Sequence, residues 1–170
     1  MNIDIKKIAR SSILFVGLGV ILVILSVILQ LLSLLIADEM GEIVQLITTV
    51  YSYALYLVFL VLFLFAGYRA VKVHGLDAVG AGATAAFTYF VVAVSHLMLN
   101  SLLSVLVLSG LIPGGAGFAS AESVISSALF GGTTGAFGLG VQLFCGAGII
   151  LIGALFNFVI GGAAGLYASK

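Results

Sequence analysis

The basic side chains of this chain fall in three places only: Lys6, Lys7 and Arg10, then Arg69 and Lys72, then Lys170. Between Arg10 and Arg69 lie 58 residues without Lys or Arg, and between Lys72 and Lys170 lie 97. Long apolar runs fill both gaps. Loops rich in Lys and Arg stay on the cytoplasmic side of a bilayer. A chain that crosses an even number of times between basic clusters gives this pattern, so the sequence predicts a polytopic membrane protein with both ends on one side.

Composition closes off the alternative. Hydrophobic residues make up 63% of the chain, charged residues 7%, and the mean hydropathy is +1.38. A soluble domain carries roughly 25% charged residues, and this chain lacks the polar side chains to coat a water-soluble globule. The formal net charge is zero, which gives no reason to expect a nucleic-acid partner. The single cysteine, Cys145, leaves no internal disulfide and no cysteine-rich metal site. The first apolar run is longer than the roughly 7–15 residues of a signal-peptide core and is followed by no small-residue cleavage motif. It reads as an uncleaved first span.

About 20 apolar residues cross the hydrocarbon core as a helix. Four stretches meet that length, at 12–36, 46–68, 83–108 and 141–166, and together form a single membrane domain over 1–170. The expected fold is an all-α integral membrane protein of four transmembrane helices. Its localisation is expected to be the cell membrane, multi-pass, with N- and C-termini cytoplasmic. The acidic segment 37–45 then forms an outer loop with Asp38, Glu39 and Glu42, and the segment 69–79 forms an inner one. The connection 109–140 is a Gly-rich outer loop, and Ser120 is suited to N-cap a short helix over 120–130. That helix can lie in the interface or enter the protein as a re-entrant segment. A fifth span is the remaining alternative; it would place Lys170 on the other side.

Glycine divides the chain unevenly, with five in residues 1–77 and seventeen in 78–170. In the fourth span Gly153, Asn157, Gly161 and Gly165 recur at four-residue spacing. Before the third span, Ala78, Gly82 and Ala86 do the same. Small residues let helix backbones approach closely in a membrane, so these six glycines and alanines are the candidate helix-packing residues.

Few polar side chains lie inside the spans. His96 and Asn100 fall in the third, Asn157 in the fourth and Gln30 in the first. An unpaired polar group in hydrocarbon costs several kcal/mol, so these four are expected to face inward as one intramembrane cluster. Thr84, Thr88, His96, Asn100 and Ser104 resemble a stripe, but steps of four drift about 40° each on a straight helix. They therefore split into two patches. Asp38, Glu39 and Glu42 lack the further oxygen ligands a hard cation needs, and no phosphate-binding or nucleophile motif is present. No cofactor, metal or catalytic residue is expected.

The expected function is a non-catalytic subunit or self-associating component of a membrane assembly. Its partners would be the lipid bilayer, further copies of itself or other membrane subunits. The alternative is a small oligomeric transporter or channel using His96, Asn100 and Asn157.

Overall fold

A computed structural model describes residues 5–108 and 136–169. Every described element is an α-helix: α1 over Ile5–Lys72, α2 over Ala78–Leu108 and α3 over Ala136–Ala168. Four segments are long and apolar enough to cross a membrane: Ile5–Leu32, Thr49–Lys72, Ala78–Leu103 and Cys145–Ala168. The short helix expected over 120–130 lies outside the described residues.

The first two spans are two arms of one helix. Helical hydrogen bonding is kept through 37–45, where the sequence suggests a loop, although the contacts below show that the chain also turns back within 32–49. The reason is local: Ala37, Glu39, Met40 and Glu42 favour helix and there is no proline, so the weak formers Asp38 and Gly41 do not break it. Charge marks where a segment leaves hydrocarbon; it does not end a helix.

Close contacts fix how the arms run. Ser11 meets Thr84, and Gly19 meets Val92, so the first arm runs parallel to α2. Gly67 meets Gly161, and Val71 meets Gly165, so the second arm runs parallel to α3. Gly146 meets Leu97 and Gly165 meets Ala81, so α2 and α3 are antiparallel. The two arms of α1 are therefore antiparallel, and the chain reverses between Leu32 and Thr49. Phe15 of the first arm accordingly shares a buried cluster with Leu62, Phe63 and Ala66 of the second.

This register gathers Lys6, Lys7, Arg10, Arg69 and Lys72 at one end of the bundle, here called the basic end, although the two groups are far apart in sequence. It also places Leu108 and Ala136 together at the far end. The segment 109–135 that joins them lies outside the described residues.

The turn at the basic end is set by two residues. Gly75 has φ +62 and its N–H donates to the Val71 carbonyl at 3.0 Å, an αL cap that closes α1. Asp77 then accepts a hydrogen bond from the Gly80 N–H through Oδ1 at 2.8 Å and caps the start of α2. Arg69 and Lys72 occupy the last turn of α1, where positive charge meets the negative end of the helix dipole.

Candidate functional site

The α2–α3 contact is built on missing side chains. A Cβ at Gly161 would strike the Ala85 methyl and lie 3.0 Å from the Ala81 carbonyl oxygen. One at Gly165 would lie 2.5 Å from the Ala81 Cβ and 3.4 Å from the Ala78 Cα. One at Gly82 would lie 2.6 Å from the Phe158 carbonyl oxygen. Gly153 makes room for the ring and hydroxyl of Tyr89. Of the six small residues singled out by spacing, Gly153, Gly161, Gly165, Ala78 and Gly82 thus lie in one seam; Ala86 is half-buried beside it.

A further glycine, Gly67, carries the second arm of α1 into the same seam. Its Cβ would lie 2.6 Å from the Gly161 carbonyl oxygen and 2.7 Å from the Gly161 Cα. Three helices meet backbone to backbone around Gly161. Spacing does not reveal Gly67, because no other glycine lies at three- or four-residue spacing from it and its partner is 94 positions away.

Above this seam, toward the far end, the packing is aromatic. Phe59 and Phe63 stack at 6.1 Å, and Phe63 meets Tyr89 edge-on at 5.5 Å. Phe15, Leu62 and Ala66 complete the layer. Such ring pairs contribute about 0.5–1.5 kcal/mol beyond burial.

The buried polar groups divide by where they bond. Thr84 donates to the Gly80 carbonyl at 2.9 Å, Thr88 to Thr84 at 2.8 Å, Ser95 to Val91 at 2.8 Å and Asn157 to Gly153 at 2.8 Å. All four close on their own helix. A bond between helices joins the hydroxyls of Ser11 and Thr84, 3.0 Å apart and both fully or almost fully buried. Ser11 also donates to the Ile8 carbonyl at 2.9 Å, so two hydroxyl protons serve three contacts and one is shared. Neither Ser11 nor its buried neighbour Ser12 stands out in the sequence, where they read as the polar edge of a span.

The four polar residues expected to cluster do not form one group: Asn157 lies apart from the other three. In the α2–α3 register Asn157 lies level with the region of Ala85, whereas His96 lies level with the region of Gly146. About ten residues of helix separate the two levels, or about 15 Å at 1.5 Å per residue. Asn157 is buried and bonded to its own backbone, while His96 is exposed. Gln30 and Asn100 are half-buried and both take part in interactions near the far end. The depth estimate failed because hydropathy placed the start of the third span at 83, whereas α2 begins at Ala78 under the Asp77 cap. The division of the α2 polar residues does appear: Thr84 and Thr88 face fully inward and His96 faces out.

No group of three or more metal-ligating side chains occurs among the described residues. No protein-family model matches the chain, and no similar curated protein or solved structure is found for it.

Proposed function

We propose that this protein acts through lateral contacts in the membrane, as a non-catalytic subunit or self-associating component of a membrane assembly, with the basic end and both termini in the cytoplasm. One observation carries the reading. The buried Ser11, Thr84, Thr88 and Asn157 side chains close on their own helices or on each other, whereas His96, within the third candidate span, faces outward. A polar group at membrane depth is costly unless it meets protein or water. An interior closed by glycine contacts and an imidazole turned outward suit a component that docks against another helix.

The same residue favours a second reading. If copies of the chain meet at His96, the imidazoles could line a shared path, which makes an oligomeric channel or transporter the alternative. Purified protein in liposomes separates the two. The subunit reading predicts no flux of any ion or metabolite in a broad panel. A flux present in wild type and abolished by His96→Ala would replace it with the conduit reading.

A further inference from the structure

Near the far end the bundle holds two buried polar atoms that the packing below does not prepare for. The hydroxyl oxygens of Tyr51 and Ser101 are both shielded from solvent and neither has a hydrogen-bond partner among the described residues. The register of the helices puts them at one level. Phe63 meets Tyr89 across the second arm of α1 and α2, and twelve residues farther along each antiparallel helix bring Tyr51 opposite Ser101. The parallel register of Ser11 with Thr84 and Gly19 with Val92 brings the region of Ser26 and Gln30 to the same level. Ser26 is buried, and Gln30 and Asn100 are half-buried there. Three helical segments thus contribute neutral hydrogen-bonding side chains to one layer, a juxtaposition that runs across sequence and that no local motif displays.

A buried hydroxyl without a partner is destabilising, and two at one level call for a shared answer. We infer that this layer is a water-binding site: buried water bridges Tyr51 and Ser101, with Ser26, Gln30 and Asn100 around it. The chemistry fits water and not an ion, because all five side chains are uncharged and each hydroxyl or amide can both donate and accept. A buried water needs two to four polar partners, which the layer supplies. The layer lies about one turn from Thr49, where the second candidate span begins. Below it the Phe59–Phe63–Tyr89 rings and the Gly67–Gly161 seam leave no comparable set of unpartnered hydroxyls among the described residues. The bundle is then wet in its outer part and dry beneath the rings.

Radiolytic hydroxyl labelling tests this, because radicals generated from bound water mark the side chains beside it. On the intact protein in nanodiscs, Tyr51 is expected to label at least about fivefold more than Tyr89, which has the same chemistry and sits in the ring layer. Ser101→Leu, which fills the layer, should bring Tyr51 down to the level of Tyr89 while leaving exposed Tyr53 unchanged. Ser101→Ala should at least halve it and serves if the Leu variant does not fold. Equal labelling of Tyr51 and Tyr89 in wild type overturns the proposal. So does Tyr51 labelling that both Ser101 variants leave unchanged, since the radicals then come from bulk water.

Discussion

Replacing Gly67 or Gly161 by Ala sets a new methyl against atoms of a neighbouring helix, with backbone among them in each case. Backbone in a three-helix contact cannot yield as a side-chain tip can, so each substitution should cost about 1–3 kcal/mol through overpacking. Gly17 and Gly148 are exposed and have nothing within 4 Å of an added Cβ. Ala at those sites should be neutral or stabilising by up to about 1 kcal/mol through helix propensity. Thermal unfolding of the four variants in one detergent checks the pairwise contrast; equal behaviour of all four would mean the seam is not where the backbones meet. At this scale the sequence was partly legible. The recurrence of Gly153, Gly161 and Gly165 at four-residue spacing is visible within one helix. Gly67 is not, because its role depends on a partner in another span. Ser11 is hidden for the same reason.

Each helix end and each helix pair adds its own constraint. Asp77→Ala removes the cap of α2 and should cost about 1 kcal/mol, and Gly75→Ala forces a side chain into the left-handed region at about 1–2 kcal/mol. Both should lower the unfolding temperature without changing helix content. The Ser11–Thr84 bond links the first arm to α2 through buried side chains. A double-mutant cycle of Ser11→Ala and Thr84→Val should return a coupling of about 0.5–1.5 kcal/mol; additive effects would show that the hydroxyls do not interact. Hydropathy and length reveal the apolar segments because a bilayer demands about 20 such residues whatever the fold. They do not reveal that the first two spans form one helical run, since 37–45 combines charge, which suggests a loop, with residues that sustain helix. Nor do they fix relative depth: Asn157 and His96 are sorted by the α2 cap and the seam register, which are contact properties.

For the whole molecule, the helix directions and the placement of charge agree. Lys6, Lys7 and Arg10 end up beside Arg69 and Lys72 because the arms of α1 are antiparallel, and a bilayer that retains basic residues on one face needs that result. Single cysteines in a Cys145→Ser background make the orientation measurable. Positions 7 and 72 should react with an impermeant thiol reagent only from the cytoplasmic side, and position 39 only from the opposite side. Labelling of 7 and 72 from opposite sides would break the topology.

The bundle is packed shut at the glycine seam and the ring layer, and we propose that the protein works through what lies beside it. Native mass spectrometry after mild extraction reads this directly. A single chain weighs 17.5 kDa. The account predicts a particle heavier than one chain by whole protein subunits, either copies of itself in a fixed number or another membrane protein in fixed ratio. A homogeneous single chain carrying lipid alone would contradict it.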